Sequence, residues 1–450
     1  MMMRMIRGSV SAALCVLLLC GVVSAQGRGR AAARTPARRR QLVEVNQVLK
    51  ADPNHTIAIV GATLIDGRGG APVRDSAVVV RGERIVAVGP RSAVRVPAGA
   101  EVFEARGMTL LPGLLDAHFH IDGDDPLPAL YLSHGVTSVR DPGQWIEAYD
   151  VARAAAAPVP RLFLMGPHFD SPPAAYPSDS YIVRDADEVR AGVARFAAQG
   201  ATGFKVYFRL PLGLIRVLCE EAHARGLPVT SHLEIVDAGD AIRAGVDGVE
   251  HATSFGTALT PTREAEKYRQ KVLADNGARS EGRYEMWDKI DLNSPRARDL
   301  FRLIVERGTF VSPTLAVFER QRGDKETTEM HVRAFKRMEE FVLRAKRAGA
   351  HVVVGSHSAV PHAERGWAYQ RELELLVESG LTPMESIVAG TWENAHFFHS
   401  EDRLGSVEAG KLADLLLVEG DPLANISNMR NVRRVMLGGR WVGAAAPAGR

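Results

Sequence analysis

The spacing of apolar positions changes rhythm twice along the chain. Residues 56–104 fall into short runs, Thr56–Gly61, Val73–Arg81, Arg84–Val88 and Glu101–Glu104, separated by Gly and Pro. No helical period appears there, so this stretch predicts a small β-module. From Leu110 the rhythm becomes an apolar run followed by a helical stretch, repeated. The runs are Leu110–His120, Val136–Arg140, Arg161–Gly166, Gly203–Phe208, Leu227–His232, Gly248–His251, Thr309–Pro313 and His351–Gly355. Helical spacing fills Ala186–Gln199, Leu212–Arg225, Ala238–Ala244, Arg296–Arg307, Glu326–Ala348 and Ala368–Ser379. Eight such units predict an α/β protein, a (β/α)8 TIM barrel over residues 110–401. A doubly wound open sheet is the alternative, but no Gly-x-Gly-x-x-Gly follows the first run. Gly405–Leu417 and Val432–Val442 return to strands and turns. They are expected to pair with residues 56–104, building one β-sandwich module from residues 53–109 and 402–444.

The N-terminus alters the charge picture. Arg4 and Arg7 precede an apolar run from Val10 to Val23, and Val23-Ser24-Ala25 offers a small-residue cleavage site. Residues 1–25 therefore read as an export signal, too short for a membrane span, with a retained anchor as the alternative. The mature chain would then lack an integral membrane span and reside in the periplasm or outside the cell. Residues 26–52 begin with a run of arginines and are expected to form a basic, disordered tether. Residues 1–40 hold eight arginines and no acid, which leaves 48 basic against 53 acidic side chains, a formal −5, for the remainder. The basic excess thus belongs to the N-terminus, and the body shows no nucleic-acid patch. Of three cysteines only Cys219 lies beyond the signal, so the mature chain has no intramolecular disulfide.

Chemistry concentrates where the runs end. His118 and His120 are two apart, so on a strand they share a face and present two imidazoles side by side, a start on a metal site. Lys205 lies within the fourth run. His232 ends the fifth and His251 the sixth. In a barrel these C-terminal ends converge on one face, where active sites lie. Tyr207, two residues from Lys205, faces the same cavity and serves either substrate binding or packing. The connection from Ser254 to Arg296 is long and charged, a lid or substrate wall or else a solvated insertion. The other walls are expected from Pro167–Tyr181, Thr314–Arg322 and Ser358–Gly366, the last holding His362 as a candidate substrate-binding residue.

The chain resembles the metal-dependent amidohydrolase superfamily over about residues 56–442. The resemblance rests on Gly113-Leu-Leu-Asp-Ala-His-Phe-His120, Gly135-Val-Thr-Ser-Val-Arg-Asp-Pro-Gly143, the Lys205 strand, and Gly405-Ser-Val-Glu-Ala-Gly-Lys-Leu-Ala-Asp-Leu-Leu-Leu-Val418. It looks most like the imidazolonepropionase-like enzymes and the secreted Xaa-Pro or related dipeptidases. The resemblance implies two divalent ions, zinc being the expected one. His118 and His120 would hold the first and His232 and His251 the second, with Lys205 bridging them as a carbamate. It implies hydrolysis of an amide-like C–N bond in a small molecule, such as a dipeptide or an N-acyl amino acid, by a metal-activated hydroxide.

One position departs from the family pattern. Where the superfamily carries an aspartate after the eighth strand, this chain reads Gly355-Ser-His357-Ser. A neutral imidazole can ligate a metal or act as a base, but hardly both through one nitrogen, and it brings no negative charge. His357 is thus the candidate proton-transfer residue, and Asp141, Glu250 and Glu364 are candidate compensating carboxylates. The alternative is a metal-binding barrel with lost or altered catalysis that serves in ligand binding.

Overall fold

The computed structural model describes residues 40–442. The expected signal, the tether up to residue 39, and residues 443–444 of the expected module lie outside the described residues.

Eight short strands carry the site: β1 (Leu114–Asp116), β2 (Val136–Asp141), β3 (Arg161–Leu164), β4 (Phe204–Val206), β5 (Val229–Ser231), β6 (Gly248–Glu250), β7 (Phe310–Ser312) and β8 (His351–Val352). Strands β1 to β3 form one parallel sheet, and β4 to β8 run in order through a second, seven-stranded one. Backbone hydrogen bonds bridge the two sheets at both margins. Thr202 N–H donates to Leu164 O at 2.8 Å, and Ala117 N–H donates to Val354 O at 2.8 Å. The architecture is TIM-barrel-like. Helices at Ala186–Ala198, Leu212–His223, Ala238–Ala244, Pro295–Arg307, Glu329–Ala348 and Ala368–Glu378 cover the strands close to their expected bounds. The strands are buried along nearly their whole length, as parallel strands flanked by helices are.

The first expected run divides. Met108–Pro112 pairs antiparallel with Leu415–Glu419, while Leu114–Asp116 joins the parallel sheet. Gly113 permits the change of partner, because a Cβ there would stand 2.3 Å from Thr137 Oγ1. The C-terminal strands therefore correct the expected pairing. Leu415–Glu419, Val432–Leu437 and Arg440–Val442 share a sheet with Met108–Pro112 and Thr63–Leu64. They do not join the separate four-stranded sheet of Thr56–Val60, Ser76–Arg81, Arg84–Pro90 and Glu101–Glu104, but pack on it: Leu415, Leu417 and Met436 share an apolar core with Ile57, Ile59, Val78, Val80 and Ile85, and an Arg84–Leu412 bridge joins the margins.

The expected tether is also corrected where it is described. Leu42 is buried and its N–H donates to His399 O at 3.2 Å, and Val45 N–H donates to Leu162 O at 2.8 Å. Glu44 pairs with Arg161 and, at 2.6 Å, with Arg403. The arginine-rich composition ends at Arg40, and beyond it an apolar residue and an acid find partners on the body.

Candidate active site and metal centre

A cavity of about 320 Å³ opens beyond the C-terminal ends of the strands. His118, His120, Lys205, Tyr207, His232, His251 and His357 all line it. His118 and His120 follow β1, Lys205 is the central residue of β4, and His232 and His251 directly follow β5 and β6. The loops that hold these side chains are strained. Asp122, His251, Thr314, His357 and Ser358 adopt left-handed φ values of 44, 68, 45, 58 and 62°, conformations that cost non-glycine residues energy and persist where surrounding contacts enforce them. His357 is fixed by its N–H donating to His118 O at 2.7 Å, and Ser358 Oγ accepts from His120 N–H at 2.8 Å.

The ring nitrogens are sorted by their partners. His118 Nδ1 lies 2.6 Å from Glu250 Oε2, which leaves its Nε2 to face His120 Nε2 at 3.0 Å. His120 Nδ1 is 3.5 Å from Asp141 Oδ1. His251 Nδ1 is 2.6 Å from Thr314 Oγ1, and His232 Nε2 is 2.9 Å from Glu234 Oε1. In each case an outer partner stands at one ring nitrogen, the arrangement that orients histidine ligands of metals. His118, His120 and His357 each place a ligand atom within 4.8 Å of the other two. The ring centroids of His232 and His251 lie 4.5 Å apart, and those of His118 and His251 4.7 Å.

Burial sets the protonation. It holds His118, His251 and His357 well below the ordinary imidazole range and brings His232 down to about 4 against the pull of Glu234. His120 is the exception: burial opposes its charge, yet the Asp141 carboxylate raises it. Burial also brings Lys205 down to about 8, with Glu250 opposing, its Oε1 3.7 Å from Nζ. Burial would raise Glu250, but Arg140, Lys205 and His118 hold it well below the usual carboxylate range. Neutral imidazoles with free lone pairs and an ionised outer carboxylate are what a divalent ion requires of its donors.

Of the compensating carboxylates, Glu250 and Asp141 touch His118 and His120. Glu364 is not among the cavity residues. His362 is a correction: its Nε2 pairs with Asp324 Oδ2 at 3.0 Å, and it does not line the cavity. Ser358–Gly366 contributes no wall residue. Three other segments do: Pro167–Tyr181 supplies His168, Tyr176 and Asp179, the long insertion supplies Arg279 and Arg283, and the loop after β7 supplies Val317 and Phe318. The insertion is helical rather than an open loop, with Arg279 and Arg283 one turn apart on the helix Arg279–Trp287.

Sequence reasoning missed His168 and these two arginines. His168 lies four residues past the end of β3 and opens the short strand His168–Asp170, so its place just beyond a strand was a readable signal. Its ring stacks on Tyr207 with centroids 4.4 Å apart, and Gly143 leaves room for it, since a Cβ there would stand 2.0 Å from His168 Nε2. Arg283 is held by Glu234, with Nε donating at 2.7 Å, and places Nη2 3.0 Å from His232 Nε2. Nothing in the local pattern distinguished these arginines from others on charged helices.

The model of the Amidohydrolase family matches residues 109–442. The chain belongs to this family. Among curated proteins, it is similar to N-acyl-D-aspartate deacylase of Alcaligenes xylosoxydans xylosoxydans, 46% identical over 86 residues, 18% of this chain and 16% of that one. It is likewise similar to imidazolonepropionase of Chloroflexus aggregans, 51% identical over 51 residues, 11% of this chain and 12% of that one. Each likeness thus spans less than a fifth of the relative's own length. Among solved structures, the fold is similar to that of a Xaa-Pro dipeptidase with bound methionine in the active site, at TM-score 0.67 and 22% identity, over 86% of this chain and 99% of that one. It is also similar to a putative prolidase from Bifidobacterium longum, at TM-score 0.67 and 23% identity, over 87% and 95% of the two chains. This amidohydrolase-family chain carries His357 in the cavity beside His118 and His120, with ring centroids 5.2 and 4.9 Å away.

Proposed function

We propose that the chain is an exported, metal-dependent hydrolase that cleaves an amide-type C–N bond in a small carboxylate-bearing substrate. The observation that carries this reading is the approach of His118 Nε2 and His120 Nε2 to 3.0 Å while outer carboxylates face their Nδ1 atoms, in the cavity that also holds Lys205, His232 and His251. The same reading takes the two parallel sheets as one closed (β/α)8 barrel, the two remaining sheets as a β-sandwich, and residues 1–25 as the export signal.

His118 and His120 would hold one divalent ion and His232 and His251 a second, zinc being the natural choice for such donors. Burial favours the neutral amine of Lys205, which could take up carbon dioxide with release of a proton, and the resulting carbamate would supply oxygen donors to both ions. When bound, such ions lower the pKa of a shared water and polarise a carbonyl. The rest belongs to the chain. His357, neutral through burial, would take a proton from the attacking water and return it to the leaving nitrogen. Arg279 has no ion-pair partner among the described residues; its guanidinium donates to Asn276 O at 2.6 Å and Tyr176 OH at 3.0 Å. That charge suits a substrate carboxylate, and Asp122 and Asp179, which line the same cavity, suit the ammonium of a dipeptide. Tyr207 packs between His168 and His232 and completes the wall.

The test is metal content by elemental analysis, followed by a library of dipeptides and N-acyl amino acids assayed on wild type, His357→Asp and His357→Ala. Hydrolysis by wild type that His357→Ala abolishes supports the reading. A metal-loaded wild type that cleaves nothing, beside an active His357→Asp, overturns it in favour of a ligand-binding barrel.

A further inference from the structure

Strand β8 carries a second group of metal-type donors, away from the cavity. His351 opens β8. Glu393 ends the π-helical turn Ala389–Glu393, and His396 lies three residues on, in the helix Asn394–Phe397. One ligand atom from each of the three lies within 4.8 Å of the other two. His351 Nδ1 is 2.8 Å from Glu393 Oε2, and the two imidazole rings meet edge to face with centroids 5.5 Å apart. Glu401 stands behind them, its Oε1 3.9 Å from His396 Nε2. The Phe310 ring packs against both imidazoles, at 5.1 and 5.6 Å, and limits their rotation.

An ordinary His–Glu ion pair needs one imidazole. Here a second imidazole approaches the same carboxylate and a second carboxylate approaches that imidazole, so both signs of charge and two nitrogen donors meet at one place. The π turn adds to the case, because such turns cost regular hydrogen bonding and recur at functional sites. Two nitrogen donors with carboxylate oxygens suit a borderline transition ion, whereas magnesium and calcium favour oxygen alone. We propose that His351, Glu393 and His396, with Glu401 or water completing the shell, bind one divalent transition ion such as Zn2+ at the N-terminal end of β8.

Zinc bonds of roughly 2.0–2.2 Å set tetrahedral ligand atoms about 3.4 Å apart, so the group must draw together. The side chains of His351 and His396 are 37% and 31% exposed, so an ion can reach them from solvent. Bound there, the ion would clasp the start of the last barrel strand to the segment returning toward the C-terminal strands. It would stabilise the folded chain by mass action and take no part in hydrolysis.

The test uses untagged full-length protein, stripped with chelator and dialysed against micromolar Zn2+. His396→Ala is expected to hold about one equivalent of zinc fewer than wild type, and Glu393→Gln to weaken that equivalent by roughly tenfold or more. His55→Ala, at the exposed His55–Glu101 pair, is the control and should change nothing. Zinc should raise the melting temperature of wild type more than that of His396→Ala. Equal zinc content in natively folded wild type and His396→Ala overturns the proposal. If His396→Ala fails to fold, His351→Gln reads the same equivalent with the same two outcomes. The count is independent of the cavity: a protein that hydrolyses nothing, yet loses one equivalent in His396→Ala, upholds this site while the hydrolase reading fails.

Discussion

Strand β8 has a histidine cluster at each end, and the two are built differently. Beyond its C-terminal end, His357 joins His118 and His120 in the cavity, where burial strips water from the imidazoles and outer groups orient them. At its N-terminal end, His351 and His396 are about one-third exposed. The first cluster obtains its donor state from the fold, because burial keeps most of its imidazoles neutral and ready to ligate. The second must draw its donors together when an ion arrives. Similar donor types thus make a preorganised site in one place and an adaptable one in the other, which fits chemistry at the first and stabilisation at the second.

The largest expected effect breaks the buried cluster. His118→Asn combined with His120→Asn should reduce hydrolysis of any library substrate below detection while the zinc equivalent at His351 persists, read by assay and elemental analysis together. Persisting hydrolysis would remove the pair from the mechanism. Next is the outer carboxylate. Glu250→Gln leaves Arg140 without its buried partner and His118 Nδ1 without an ionised acceptor. Metal affinity or kcat/KM should fall roughly 10–100-fold. Urea unfolding should show a loss of about 3–5 kcal/mol from the broken buried pair. Arg279→Gln should raise KM about tenfold for a carboxylate-bearing substrate, the loss of roughly one charged hydrogen bond, with kcat little changed. The carboxamide analogue should show no such difference between the two proteins.

A smaller effect separates burial from metal binding. Asp170 lies outside both clusters, with Oδ1 accepting from the N–H groups of Ser171 and Arg209 and Oδ2 buried without a partner. Burial pushes its carboxyl from 3.8 up to about 7. Because the folded value exceeds the unfolded one, its stabilising contribution is full below about 3.8 and is lost as pH rises through about 7. The melting temperature should therefore fall from pH 5 to pH 8, less steeply in Asp170→Asn. Equal slopes would show that Asp170 is ionised throughout. The smallest effect belongs to the exposed cluster: His396→Ala should leave kcat/KM unchanged and lose only a few degrees of zinc-dependent melting shift.

Much of this arrangement was legible in the chain. Apolar runs located the eight strands, and helical spacing placed Ala186–Ala198 and Ala238–Ala244 within a residue of their observed ends. The residues that end those runs, His118, His120, His232 and His251, all reached the cavity, because parallel strands aim their C-terminal ends at one face. The break at Gly113 was not legible, since a continuous apolar run does not say which of two sheets each half will join. Nor was the contribution of Arg279 and Arg283, whose helix crosses the cavity only after the insertion folds back. His362 read as a wall residue because its loop follows β8, but an exposed loop has no periodicity to fix its direction, and Asp324 draws it aside.

The sequence by itself determined the strand order and put His118, His120, His232 and His251 at strand ends, because these follow from periodicity and from the two-residue repeat of a strand, while its motifs carried the resemblance to the family. Tertiary structure alone decided what those imidazoles are. Glu250, 132 residues from His118, stands against its Nδ1, Thr314 Oγ1 stands against that of His251, and burial sets their charge. Protonation and tautomer depend on the groups that pack around a ring, and packing between distant segments is not written in any local pattern.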